Sequence, residues 1–103
     1  MSLPGTAKRR KQLNEAIRAL LPRASLESHR QVLAVAEQGH LRHLPAAIAA
    51  WQAATTVARH EYTDYDRLLV EGYDRDSARH FVREEINAQL AEWGCLRRIG
   101  ETE

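Results

Sequence analysis

From Leu44 to Ala58 the chain reads LPAAIAAWQAATTVA, a stretch with no charged side chain and with alanine as its commonest residue. Pro45 suits the first position of a helix, where a missing N–H costs nothing. Ile48, Trp51, Ala54, Thr55 and Ala58 then fall on one side, and alanine covers much of the other. Neighbouring helices can approach such an element closely all round, so the spacing predicts a central, buried helix from Pro45 to His60. Arg59 and His60 close it, placing positive charge where the helix dipole favours it. The run is too short, and too rich in Thr and Gln, to span a bilayer.

The rest of the chain supplies partners for this helix. Apolar residues recur at helical spacing, and β-branched residues are sparse. A first helix is expected from about Thr6 to Leu21, with Leu13, Ile17, Leu20 and Leu21 on one face and Pro22 past its end. Lys8 to Lys11 would lie in its first turn, the wrong sign for the dipole, so that end should fray. Ser25 is placed as the N-cap of a second helix carrying Val32, Leu33 and Ala36, with Gly39 as a left-handed stop. Thr63 is placed as the N-cap of a short fourth helix with Asp64 and Asp66 in its first turn, ending at Gly72. Asp74 caps a fifth helix running to Trp93, in which Ala78, Phe81, Val82, Ile86, Leu90 and Trp93 share one half of the circumference. The fold class is all-α: an orthogonal bundle of about five helices with a central buried helix and a C-terminal helical hairpin. Residues 1–8 and 96–103 are expected to be flexible, unless Leu96 or Ile99 docks the tail.

At 103 residues this reads as a single domain (1–103), long enough for one core and too short for two. A net charge of +1 means that attraction to nucleic acid or to an anionic membrane would have to come from a local patch. Cys95, the single cysteine, can form neither an intrachain disulfide nor a cysteine zinc cage, which fits a reducing, cytoplasmic setting. It follows a helix C-terminus, where the dipole disfavours a thiolate and argues against a nucleophilic role.

Between Ala58 and Glu85 lies ARHEYTDYDRLLVEGYDRDSARHFVREE, which holds the candidate chemistry. A metal or acid–base site built from His60, Asp64 and Asp66 would need converging carboxylates. On one helix those two aspartates stand about 200° apart, so the ordinary reading is that both serve backbone donors and the dipole of a first turn. Tyr62 and Tyr65 read as half-buried rings with a wet hydroxyl. His40 and His43 have zinc-ligand spacing but no glutamate to complete a metalloprotease pattern. His29 and His80 read as surface histidines. Arg75, Arg79 and Arg83 form a basic row bordering the apolar face of the fifth helix. Like charges so spaced repel, so either Asp64, Asp66 or Glu71 compensates them, or a phosphate or acidic partner does.

Over about residues 47–95 the chain resembles a family of uncharacterised bacterial and fungal proteins, domain of unknown function 2293. The likeness rests on Arg59 and His60, the box Thr63, Asp64, Tyr65, Asp66, then Leu68 and Leu69, Gly72, Arg75, Ala78 and Arg79, and Trp93. It implies kinship and transfers no mechanism. LLVEGYDRDSARHFV is also similar to the first two helices of ubiquitin-associated domains, at the level of supersecondary structure alone.

No Gly-rich phosphate loop or nucleophile elbow is present, so enzyme activity has no positive support and no cofactor is expected. The favoured expectation is a non-enzymatic protein-interaction module whose face combines Arg59, His60, Thr63, Asp64, Tyr65 and Asp66 with Arg75, Arg79 and Arg83. Nucleic-acid binding through the arginine row and Lys8 to Lys11 is the alternative, and a metal-dependent hydrolase a third. The partner is unknown; a homodimer is an option, a membrane is not.

Overall fold

A computed structural model describes residues 4–100 and forms five α-helices, with no strand among the described residues. They are α1 (Pro4–Leu20), α2 (Leu26–Ala36), α3 (Ala46–Tyr62), α4 (Tyr65–Val70) and α5 (Arg75–Glu92). The expectation of flexible ends, where it concerns residues 1–3 and 101–103, lies outside the described residues.

The charge-free helix is the hub. Ala49, Ala50, Ala53, Ala54 and Ala58 are all fully buried, and α1, α2 and α5 each pack against it. Small side chains on several faces make this possible, since they let three neighbours approach one backbone. The bulk of the core comes from those neighbours: Leu13 and Ile17 of α1, Val32 of α2, and Val82, Ile86 and Leu90 of α5. Ile48 departs from the expected stripe and is 46% exposed, because it lies at the margin of the buried arc. Phe81 of α5 does the same at 57%, and stacks edge-on against Tyr73 instead of entering the core.

Caps explain four of the helix ends. The Ser25 hydroxyl accepts the Ser28 N–H at 3.1 Å, and the Asp74 carboxylate accepts the Ser77 N–H at 2.8 Å. Gly72 (φ 105°) and Gly94 (φ 86°) end α4 and α5 in Schellman motifs, in which the glycine N–H and the N–H of the next residue donate to carbonyls of the last turn. Gly39 does not act this way. It has no positive φ; α2 ends at Ala36 with Glu37 as its cap, and a 3-10 turn over Gly39–Leu41 swings Leu41 into the core.

The basic run of α1 also differs from expectation. The helix begins at Pro4, so Lys8 to Lys11 lie beyond the first turn. Arg9 donates to the Leu44 carbonyl at 2.6 Å, tying α1 to the entry of α3, and Arg10 lies 3.7 Å from the Glu37 carboxylate. His29 is half-buried, not exposed, with its ring Nε2 2.7 Å from the Asn14 carbonyl oxygen across the α1–α2 contact. Burial, and then the charge of Arg18, lower its pKa.

Beyond α5, Leu96 is fully exposed and Ile99 packs against the core. Asn87, buried on α5, accepts the Ile99 N–H at 2.7 Å and donates to the Ile99 carbonyl at 3.1 Å. Arg97 lies over the Trp51 ring at 4.1 Å. The segment Cys95 to Gly100 is thereby laid along α3 and α5.

Candidate functional site

Helix α3 runs two residues past His60, so Arg59, His60 and Tyr62 stand on its last turn. Thr63 is extended and breaks the helix there. Its hydroxyl donates back to the Arg59 carbonyl and accepts the Tyr65 N–H at 3.2 Å, although the formal cap of α4 is Asp64. Thr63 is therefore a structural joint.

Neither aspartate caps the helix with its side chain. The Asp64 carboxylate accepts from Arg67 at 2.9 Å, and Asp66 meets His60 Nδ1 at 2.7 Å, so the two carboxylates take separate partners. This corrects the expectation that they serve backbone donors: three residues on, a guanidinium offers Asp64 a charged donor, and the turn at Thr63 brings His60 over Asp66. Both pairs are solvent-exposed. Tyr65 is buried, not half-buried, with the His60 ring edge-on at 5.3 Å and the Arg59 guanidinium over its face at 5.2 Å. Tyr62 is 40% exposed, and its hydroxyl donates to Gln31 at 3.1 Å. Among the described residues no three His, Cys, Asp or Glu side chains gather closely enough to hold a metal ion, and His40 and His43 are both exposed.

The nine candidate residues therefore separate. Arg59, Arg79 and Arg83 converge on one groove of about 430 Å³ between α3, α5 and the segment after α5. His60, Thr63, Asp64, Tyr65 and Asp66 bond to one another or to their own helices, and Arg75, at the start of α5, does not line the groove. Asp64 and Asp66 lie within salt-bridge distance of Arg67 and His60, not of the arginine row.

The groove's other walls come from residues that sequence reasoning did not assign to a site. Thr55 and Trp51 stand one and two turns before Arg59, so the three share a face of α3, and an i, i+4, i+8 reading of that helix finds them. Ile86 forms part of the floor, and Ile99 closes the third side. Nothing local in the sequence reveals Ile99, which depends on the Asn87 bonds. Asp76 and His80 stand at the α5 rim.

Two of the groove's three arginines lack a carboxylate partner among the described residues. The Arg59 Nε atom is buried with no hydrogen-bond partner, and no carboxylate among the described residues lies within ion-pair distance of Arg59 or Arg79. Burial, followed by repulsion from Arg79, lowers the Arg59 pKa, while Tyr65 and Asp66 act in the opposite sense. An anion entering here would restore the missing charge and accept the orphaned donor.

No described helix is long and apolar enough to cross a membrane. No curated protein and no solved structure matches the chain. A family model does match, over residues 16–94, which extends the likeness seen at 47–95 back through α2 and into α1. The match takes in most of the chain, including α3, α4 and α5 and every arginine of the groove, and the chain belongs to the family described as Uncharacterized conserved protein (DUF2293).

Proposed function

We propose that the chain is a non-enzymatic interaction module that grips an anionic segment of a partner protein in the groove between α3, α5 and the Ile99 segment. One observation carries this reading: Arg59 holds a buried, unpartnered N–H beside a second cation, Arg79, at a concave surface. Uncompensated guanidiniums in a partly dry site cost stability, and an incoming anion recovers it. Trp51 and Ile86 give the same groove an apolar surface, the mixture that protein-binding pockets use.

The interaction face is smaller than the sequence suggested. His60 and Asp66 are engaged with each other and Asp64 with Arg67, so the reading rests on Arg59 and Arg79, with Arg83 beside them. Nucleic-acid binding would need the arginine row and the α1 basic run as one track. Arg9 and Arg10 are committed to Leu44 and Glu37, and Arg75 lies off the groove, which favours a pocket over a track. Hydrolysis at His60 finds no support from a second carboxylate, because Asp64 turns to Arg67.

The test is anisotropy of a fluorescein-labelled glutamate-rich peptide titrated with the full chain at low salt. Binding is expected for the wild type and for R75Q, and a loss of about tenfold or more for R59Q/R79Q. Equal binding by the double variant, or no binding by the wild type, would overturn the reading.

A further inference from the structure

We infer that the group received by this groove is the phosphate monoester of a phosphorylated serine or threonine side chain, a deepening that rests on the interaction reading above. The charges decide between anions. Arg59 and Arg79 are two neighbouring cations without ion-pair partners among the described residues. A carboxylate brings one negative charge and leaves one guanidinium uncompensated beside the other. A phosphate monoester near neutral pH brings close to two, with three acceptor oxygens, and satisfies both.

The hydrogen-bonding inventory agrees. The Thr55 hydroxyl already donates to the Gln52 carbonyl at 3.0 Å, so the donors left for a ligand include guanidinium N–H groups of Arg59 and Arg79, among them the dry Nε of Arg59. A phosphate accepts and asks for no acceptor in return. The volume, about 430 Å³, exceeds what a bare phosphate fills and leaves room for the residue that bears it. A nucleic-acid phosphodiester carries a single charge per phosphate and lacks this match.

Three labelled peptides, identical except for a central phosphothreonine, glutamate or threonine, separate the alternatives when titrated into the full chain. The phosphopeptide is expected to bind about tenfold tighter than the glutamate peptide, a difference of about 1.4 kcal/mol, with the threonine peptide weakest. R79Q should remove that advantage while R75Q keeps it; because Arg79 is exposed, R79Q serves if R59Q fails to fold.

The pH profile is a second readout. A phosphate monoester loses its second charge around pH 6, so phosphopeptide affinity should fall about tenfold between about pH 7.5 and pH 5. The groups facing the ligand are Arg59 from α3 and Asp76, Arg79, His80 and Arg83 from α5. Any proton that these groups take up adds positive charge and would strengthen anion binding. A fall on acidification therefore belongs to the ligand. Equal affinity for the phosphothreonine and glutamate peptides would sink the phosphate assignment and leave the interaction reading standing. Failure of every peptide would sink both. Displacement by inorganic phosphate at the same concentration as the phosphopeptide, or tighter binding of a single-stranded oligonucleotide, would overturn it in favour of those ligands.

Discussion

Helices α3 and α5 are nearly equal in length, at 17 and 18 residues, and are built on opposite plans. α3 buries five alanines, a valine and a tryptophan, and takes neighbours on several sides. α5 buries one stripe, Ala78, Val82, Ile86 and Leu90 at every fourth position, and leaves Arg75 and Arg79 exposed along its edge. α3 is thus held by what its side chains lack, and α5 by what one row of them fills. The groove lies where the two plans meet: Val57 and Ala58 of α3 are buried, and the next residue, Arg59, emerges opposite Arg79.

If this contrast is right, the two helices should fail in opposite ways. Leu90→Ala on α5 removes a fully buried side chain and should cost about 2–5 kcal/mol in urea unfolding. Ala54→Leu on α3 enlarges a fully buried methyl wedged between helices, and should cost about 1–3 kcal/mol through overpacking. Stability equal to wild type for Ala54→Leu would mean that α3 is less tightly enclosed than it looks. The helix ends sharpen the same contrast. Gly72→Ala faces open space, and only its φ of 105° opposes it, at about 1 kcal/mol. Gly94→Ala adds a Cβ 3.0 Å from Pro22 Cγ to the strain of φ 86°, so its melting temperature should drop further than that of Gly72→Ala.

Arg79→Gln should leave stability within about 0.5 kcal/mol of wild type, on the stabilising side, because it relieves repulsion with Arg59. A marked loss of stability would show that Arg79 supports the fold. The smallest effect concerns the α1–α2 wall behind α3. His29 has a lowered pKa in the folded state, so the unfolded chain binds its proton more readily. Its contribution is full above the ordinary histidine value of about 6.5 and declines as pH falls through it. Chemical denaturation across that range should show the decline, and His29→Gln should flatten it.

The two plans also differ in how they announce themselves in sequence. α5 carries a periodic stripe, and α3 carries an absence of charge; both signals are long, and both led to the right helices. Short signals were weaker guides. Gly39 looked like a stop because glycine commonly is one, yet burial of Leu41 carries the chain into a 3-10 turn first. Ile48 and Phe81 sit at stripe margins, where periodicity cannot tell core from rim. In the site, Arg59, Arg79 and Arg83 could be nominated from composition and spacing. Their convergence could not, since it depends on how α3 and α5 pack. The partners of Asp64 and Asp66 were hidden for a similar reason: a carboxylate in a first turn suits a backbone cap and a neighbouring side chain equally well until the joint at Thr63 is known.

Asn87 gives the groove a property that its lining alone would not. One buried amide holds both main-chain polar groups of Ile99, so the third wall stands in place without help from a bound molecule. The loss of conformational freedom in that wall is met during folding, and an arriving anion need not immobilise it again. Preorganisation of this kind favours affinity from a small contact area, and it places the control of that affinity in an asparagine that never touches the ligand.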